Sequence, residues 1–518
     1  MTPQEQAELR RPRFSGDLLV HALNQTPDRP MLRSLDGPAL TVGDLRDETS
    51  RYVQALAALG ISAGSRVALL SGNRPEVLHA THAVQLNAAI YTPMHALGSI
   101  EDHAYILQDA EIDLLIFDAA PFGKHATELA RRAPKVKLAG LGPGPGAVDL
   151  VALAQSMTPA PLTAPRVRGE DVARFGYSGG TTGKPKSIGG THAIASEVQR
   201  IVLAEWEWPD PPHALLCSPL SHAGATLFMP TLLRGGTLLV LPRFEPGAVL
   251  RAIQDHRVNC SLMVPSMIYA LLDHPDLDTF DLSSLETIFY GGSLMSPVRL
   301  KEAIERIGPV FSQFYGQAEA PMVVTLMRKA EHLLDDPARL ASCGRALPWN
   351  EVGLLDDHNQ PVPPGTPGEM CVRGPLVMTG YRNEPDLTAA VFDGGWLHTG
   401  DIAVQEPDGF LRIVDRKKDM IVSGGFNIFP REIEDILVSH PAVAQAVVIG
   451  TPDPKWGEAV TAIVQLRPSG QASAADLTAL VAERKGSYQA PKRVEFVDAI
   501  PLTPVGKPDK KALRTQFS

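Results

Sequence analysis

Residues 177–186 read Tyr177-Ser178-Gly179-Gly180-Thr181-Thr182-Gly183-Lys184-Pro185-Lys186, and this stretch points to a nucleotide-handling α/β fold. Its glycines let backbone N–H groups turn inward and approach phosphate oxygens. Ser178, Thr181 and Thr182 add hydroxyl donors, and Lys184 and Lys186 supply positive charge. The Walker pattern requires Gly five residues before the Gly-Lys pair and Ser or Thr straight after it. Ser178 and Pro185 stand at those positions. The segment therefore has the chemistry of a polyphosphate loop without being a Walker motif; the plain alternative is a surface loop rich in Gly and Thr.

Outward from this loop, short β-rich runs alternate with amphipathic stretches. Residues 67–71, 89–93 and 113–117 read as strands, and 75–86 as a helix. Past a Pro-rich connector at 158–165 the rhythm restarts with strands at 172–177, 214–217, 237–241, 259–264 and 287–290. This βαβ alternation predicts parallel sheet in two α/β subdomains. Between 353 and 409 the turn signals Pro363-Pro364-Gly365, Pro367-Gly368, Gly394-Gly395 and Asp408-Gly409 separate short strands such as 370–373, which predicts a small β-barrel or meander. Beyond Lys418 a compact α+β unit follows: a hairpin at 420–428, a helix at 430–440, strands at 443–449 and 459–466, a helix at 474–485 and a final strand at 493–497. The fold class is α/β, with a large N-terminal domain of two α/β subdomains plus the small β-barrel, and a small α+β C-terminal domain. The match Gly142, Gly144, Ala147 to a dinucleotide fingerprint is read as loop, because Pro143 and Pro145 interrupt it and no strand leads into it.

A chain of 518 residues, 44% hydrophobic, is too long for one core and should divide into domains. The formal charge of -10 argues against a general binder of nucleic acid or anionic membrane. Cys217, Cys260, Cys343 and Cys371 form no CxxC pair, so free buried thiols are expected rather than a zinc ribbon or disulfide framework. The N-terminal segment has no signal-peptide hydrophobic run, and no apolar stretch reaches membrane-spanning length. A cytoplasmic setting follows as the expectation.

Five segments, in order, carry a specific resemblance: the 177–186 loop; Phe314-Tyr315-Gly316-Gln317-Ala318-Glu319; Trp396-Leu397-His398-Thr399-Gly400-Asp401; Asp415-Arg416-Lys417-Lys418-Asp419; and Pro501-Leu502-Thr503-Pro504-Val505-Gly506-Lys507. The chain resembles the adenylate-forming superfamily of acyl-CoA synthetases, luciferases and peptide-synthetase adenylation domains, most of all bacterial fatty-acyl and aryl-acid CoA ligases. The resemblance implies an N-terminal domain over 1–415, a hinge at 416–418 centred on Lys418, and a mobile C-terminal domain over 419–518. It also implies ATP, Mg2+, CoA and a small carboxylic acid as substrates or cofactors, with no nucleic acid, and a homodimer is compatible with it.

By that resemblance, Ser178, Gly179, Gly180, Thr181, Thr182, Gly183 and Lys184 hold the β- and γ-phosphates, and Glu319 is the magnesium ligand. Asp401 takes the ribose hydroxyls, two O–H donors to an acidic acceptor, with Arg416 on the same sugar. Tyr315 offers a face to adenine beside Gly291, Gly292 and Ser293, with Gly316 and Gln317 in the same motif. Lys507 bridges the substrate carboxylate and the phosphate as a flexible point charge. His222 stands where the family places an aromatic gate, and as a lone histidine it reads equally as a half-buried structural residue. Ser423-Gly424-Gly425-Phe426-Asn427 resembles a pantetheine-tunnel loop, and Lys455 and Trp456 lie near the CoA nucleotide; the ordinary reading of Trp456 is core. Ser221, His222, Ala225, Phe228, Met263, Tyr290, Gly316, Ala320 and Val323 are expected to line the acyl pocket. Lys510 and Lys511 are read as ordinary surface lysines of the same tail.

Two positions depart from the family pattern. Ala318 removes a hydroxyl from the phosphate side, a loss of about 1.5–3 kcal/mol for one hydrogen bond to a charged group, and Ser187 stands where Gly is usual. The reaction implied is ATP-dependent activation of an aryl, arylalkenoic or medium/long-chain acid to an acyl-adenylate and its transfer to CoA. The alternatives are transfer to a carrier-protein thiol or another acceptor, activation of another oxyacid such as nitrite, and a non-catalytic ATP-binding scaffold.

Overall fold

The computed structural model describes residues 8–35, 37–178, 185–423, 426–503 and 508–517. Two large sheets form the N-terminal part. The first has seven strands in the order Val148–Asp149, Lys137–Gly140, Leu114–Phe117, Arg66–Leu70, Ile90–Met94, Val172–Ser178, Lys186–Thr191, parallel except for the last. The second has nine, in the order Arg345–Ala346, Ala320–Met327, Phe311–Gln317, Thr287–Tyr290, Cys260–Met263, His213–Leu216, Thr237–Val240, Pro30–Ser34, Ala39–Thr41, with a parallel centre and antiparallel flanks. Their central strands, such as Leu114–Phe117 and Cys260–Met263, are buried at every position, as expected where helices cover both faces of parallel sheet.

The sheets do not divide at the Pro-rich connector. Val172–Ser178, which follows it, lies beside Ile90–Met94 in the first sheet, while the early strand Pro30–Ser34 joins the second beside Thr237–Val240. The two subdomains are thus interleaved along the chain. Local signals set the helices between strands. Thr41 caps Val42–Ala58, accepting from Asp44 N at 3.1 Å while Asp44 accepts from Thr41 N at 2.8 Å. Pro75 opens Pro75–Leu86, where its missing N–H costs nothing.

Each large sheet has a point where the chain leaves one strand in opposite directions. Arg66–Leu70 is flanked by Ile90–Met94 and Leu114–Phe117, and His213–Leu216 by Thr237–Val240 and Cys260–Met263. Crevices at the carboxyl ends of such strands are where open α/β sheets take ligands. Here the two crevices meet. Asn73, just past Arg66–Leu70, donates to Ser218 O (3.0 Å) and accepts from Leu220 N (2.9 Å), both just past His213–Leu216.

The third sheet, Glu351–Leu355, Gly368–Arg373, Leu397–Gln405, Leu411–Arg416, is an open four-stranded antiparallel meander. Its edge strands do not pair with each other, so the barrel expected from the sequence is not closed. The C-terminal domain packs a five-stranded sheet, containing the long pair Val443–Asp453 and Gly457–Leu466, against helices Pro430–Val438 and Ala474–Lys485. A last helix, Lys510–Phe517, buries Leu513 against Val447, Ile449 and Ile463. All four cysteines are buried and unpaired. Among the described residues no helix is long and apolar enough to cross a membrane.

Candidate active site

The hairpin joining Phe311–Gln317 to Ala320–Met327 supplies the first group. Gly316 sits at an irregularity in the pairing, and a Cβ there would lie 2.2 Å from Met322 N, so no larger residue fits. Tyr315 donates its hydroxyl to Asp401 Oδ2 at 2.6 Å. Gln317 Nε2 reaches the Tyr315 hydroxyl (3.3 Å), Thr399 O (3.1 Å) and Asp401 Oδ2 (3.3 Å). Arg416, paired opposite Asp401 in the meander, places Nε 2.8 Å from Asp401 Oδ1. Burial works to lower the Arg416 pKa, but Asp401 and Tyr315 more than offset it and hold it above its ordinary value. Asp401 is therefore buried, with Oδ2 taken by both Tyr315 and Gln317, while Oδ1 takes Arg416 and retains a further lone pair for a ligand hydroxyl.

Asp401 is itself positioned from behind. Gly400 adopts φ +71°, and its N–H donates to Glu369 Oε1 at 2.9 Å. Asp401 N donates to Thr399 Oγ1 at 3.1 Å, and Thr399 donates to Met370 O at 2.6 Å. The other Glu369 oxygen takes Lys417 Nζ at 3.2 Å. Glu369 is a buried acid in an ordinary strand pattern, and no motif marks it.

Glu319, at the turn of the same hairpin, accepts from the Tyr381 hydroxyl at 2.8 Å, and burial with the nearby Glu319 carboxylate raises the Tyr381 pKa. Lys186 Nζ stands 5.1 Å over the Tyr381 ring. The Tyr381 backbone bridges to Ile188, and Arg382 N donates to Ser187 O at 2.9 Å. Tyr381 thus ties the carboxylate to the end of the phosphate-style loop, a link that sequence spacing does not show. Lys418 lies in the same quarter: burial, with Arg416, Arg514 and Lys186 adding to it, lowers its pKa against the pull of Asp419. Lys186, Arg416 and Lys418 make this side of the cleft cationic, suited to a polyanion.

Glu319 has the donor chemistry for Mg2+. One oxygen is held by Tyr381 and, among the described residues, no protein donor holds the other; Mg2+ is usually bound by one or two carboxylates plus substrate phosphates. Among the described residues there is no group of three or more His, Cys, Asp or Glu that could form a dedicated metal cage.

On the opposite side, His222 follows the carboxyl end of His213–Leu216. Its Nδ1 is 2.8 Å from Ser221 Oγ, and its ring packs edge-on against His95 at 4.8 Å. Burial, with His95 and Arg174 adding to it, pushes its pKa down to about 3, so the imidazole is neutral at physiological pH. Of the expected pocket residues, His222, Ala225 and Gly316 present accessible surface, whereas Phe228, Ala320 and Val323 are sealed in the core between the large sheets. Met263 and Tyr290 lie on the far face of their sheet. They pack in the core beneath Pro246–His256 and Pro297–Ile307, and Tyr290 is hydrogen-bonded to Gln313 (3.2 Å). Their neighbours Leu262 and Phe289 face the cleft-side core, as the two-residue alternation of a strand requires.

Gly291 packs against Phe314, whose carbonyl would lie 2.3 Å from a Cβ, and Gly292 has φ +79°. Ser293 is half-buried beside them. Gly179, Gly180, Thr181, Thr182, Gly183, Lys184, Gly424, Gly425 and Lys507 lie outside the described residues, as does the Ser178 side chain. Trp456 is 37% exposed, with Lys455 Nζ 4.7 Å over its ring, and is not core. Lys510 is not a surface lysine: its Nζ is 3.0 Å from the buried Glu434, which also accepts from Val448 N (2.9 Å). Burial works to lower its pKa, and Glu434 and Asp415 more than offset this. Leu502 bridges to Pro508, two residues before Lys510.

Residues 19–382 match the family model described as AMP-binding enzyme, and 432–507 match that of the AMP-binding enzyme C-terminal domain. The chain is an AMP-binding enzyme. It is 51% identical over 523 residues to a medium/long-chain-fatty-acid–CoA ligase of Mycobacterium tuberculosis, covering 98% of this chain and 91% of that one. It is 35% identical to a feruloyl-CoA synthase of an Amycolatopsis species, covering 97% and 99%. Among solved structures, this AMP-binding enzyme is similar to an amide bond synthetase of Marinactinospora thermotolerans, with a TM-score of 0.88, 33% identity and coverage of 96% and 100%.

Proposed function

We propose that this enzyme uses ATP to convert a carboxylic acid to an acyl-adenylate and then passes the acyl group to the thiol of CoA. The observation that carries the reading is the convergence of separated segments on one cleft: Tyr315, Asp401 and Arg416 form one hydrogen-bonded group, and the same hairpin places Glu319 across Tyr381 from Lys186.

In the first step the acid's carboxylate oxygen attacks the α-phosphorus and pyrophosphate leaves. Both reactants are anions, so the protein must neutralise charge and align the reacting atoms. Asp401 and Arg416 fix the ribose end, Tyr315 lies beside the base, and Lys186 with the 178–184 loop holds the phosphates. Lys507 joins the carboxylate to the α-phosphate. Glu319 would hold Mg2+, which neutralises phosphate charge when bound. His222, neutral, borders the acid without adding charge. In the second step a thiol attacks the acyl carbonyl, AMP leaves, and the thiol proton is released. A hinge at 416–418 allows the C-terminal domain over 419–518 to change the face it presents between steps.

The test is pyrophosphate release that depends on both acid and ATP, followed by AMP and thioester on addition of CoA. Background release across a broad panel of acids overturns the reading. The likeness to an amide bond synthetase favours a second acceptor, an amine, and mass spectra of products formed with and without CoA separate the two.

A further inference from the structure

Arg174 lies within Val172–Ser178, four residues before that strand ends at the phosphate-style loop. It pairs in parallel register with Tyr91, four residues before His95. Arg174 is thus set roughly 13 Å, and Tyr91 roughly 10 Å, below the carboxyl edges of their strands, at the rise of a parallel strand. They lie at the floor of the cleft, whereas the reacting groups gather at its rim. The face that carries Arg174 opens on space: Arg174 is exposed, and a Cβ at Gly176, two residues on, would meet no heavy atom within 4 Å.

Across the cleft, Arg174 Nη2 donates to Ser221 O at 3.3 Å, beside His222. Among the described residues it has no carboxylate within ion-pair distance, whereas Arg74, Arg299 and Arg382 each have one. Protein surrounds the guanidinium closely enough that desolvation lowers its pKa. An exposed cation with one protein carbonyl for five N–H donors keeps its other donors turned to the open space, where an anionic or strongly accepting ligand group can take them in place of water.

We propose that Arg174 is a specificity-determining residue that binds a second oxygen at the far end of the acid, so that the preferred substrates are oxygenated at both ends. Such an oxygen is a carboxylate, a phenol or a ring carbonyl, and planar guanidinium suits each, bidentately in the case of carboxylate. A plain methyl terminus would leave the guanidinium unpaired. The inference rests on the acid-activating reading above and names the class of acid.

The experiment compares matched pairs, nonanedioic with nonanoic acid and 4-hydroxycinnamic with cinnamic acid, using the full-length chain and its Arg174→Leu and Arg174→Lys variants. Two readouts are taken: kcat/KM for pyrophosphate release, and equilibrium binding of each acid by titration calorimetry. The expected result is a preference of about tenfold or more for the oxygenated member of at least one pair, as for one hydrogen bond to a charged group. Arg174→Leu is expected to collapse that ratio, mainly through KM, and Arg174→Lys to restore part of it. A ratio near one in the parent chain, or one unchanged in Arg174→Leu, overturns the proposal. Preference in binding without pyrophosphate release supports the site and sinks the adenylation reading; release without preference does the reverse.

Discussion

The two walls of the cleft are built on opposite plans. On the proposed nucleotide wall each polar group is held by another part of the protein: Tyr315, Gln317 and Arg416 all converge on Asp401, and Glu369 and Thr399 brace it from behind. On the proposed acid wall Arg174 has a single backbone carbonyl, and His222 leans on His95 and Ser221. A preassembled wall binds a constant ligand with little reorganisation, while an unpaired one leaves its affinity to whatever enters. The difference assigns common chemistry to one side and choice of substrate to the other.

The largest effect is expected from the lysine proposed to serve both substrates at once. Lys507→Ala should lower acyl-adenylate formation about 10²- to 10³-fold, the range for removing one preorganised electrostatic contact to a transition state. Transfer from preformed acyl-adenylate should fall far less, which single-turnover quench measurements of the two steps can read; equal loss in both breaks the assignment. Next, Asp401→Asn removes the charge at the centre of the nucleotide wall. Its kcat/KM for ATP should drop about 10- to 100-fold, as for a hydrogen bond to a charged group. If the walls are independent, the factor is the same for every acid; a factor that varies with the acid breaks the contrast.

A smaller effect is expected from Lys510→Met, which leaves the buried Glu434 without its ammonium partner. Adenylation should fall about tenfold, part of the 3–5 kcal/mol associated with breaking a buried pair appearing as lost order of the neighbouring segment. Thioester formation from acyl-adenylate is the internal control, and Lys510→Arg should recover most of the loss. The smallest effect concerns pH. Burial, opposed by Lys510 and reinforced by Glu434, raises the Asp415 pKa to about 6. A carboxyl whose folded pKa is raised contributes stability that is full below its unfolded pKa and is lost as pH rises through the folded value. Thermal midpoints should therefore show a component that declines between about pH 4 and pH 6 and is flattened in Asp415→Asn, a slope that differential scanning calorimetry resolves.

Much of the architecture was legible because it rests on local periodicity. The helix expected at 75–86 and the strand at 287–290 coincide with Pro75–Leu86 and Thr287–Tyr290, and the C-terminal strands and helices fall where turn signals bound them. Strand order was not legible, since crossovers carry the same αβ rhythm whichever neighbour they reach. Hence Pro30–Ser34 was not foreseen in the second large sheet, nor Val172–Ser178 in the first. Within the site, Asp401, Arg416, Tyr315 and Glu319 stood out in recognisable motifs. Tyr381, Glu369 and Asn73 did not, because each acts through a partner distant in sequence. Met263 and Tyr290 were placed one residue out of phase with the cleft, an error that reverses the face of a strand.

Glu369 holds Gly400 with one oxygen and Lys417 with the other. This fastening divides the connecting segment in two. Everything up to Lys417 is moored to the same meander that carries Asp401, so the proposed swing of the tail domain would have its fulcrum one peptide later, at Lys418. In the proposed mechanism Arg416 would then stay with Asp401 whichever way the tail turns, because Lys417 just after it is tied back to Glu369, Asp357 and the Gly400 carbonyl.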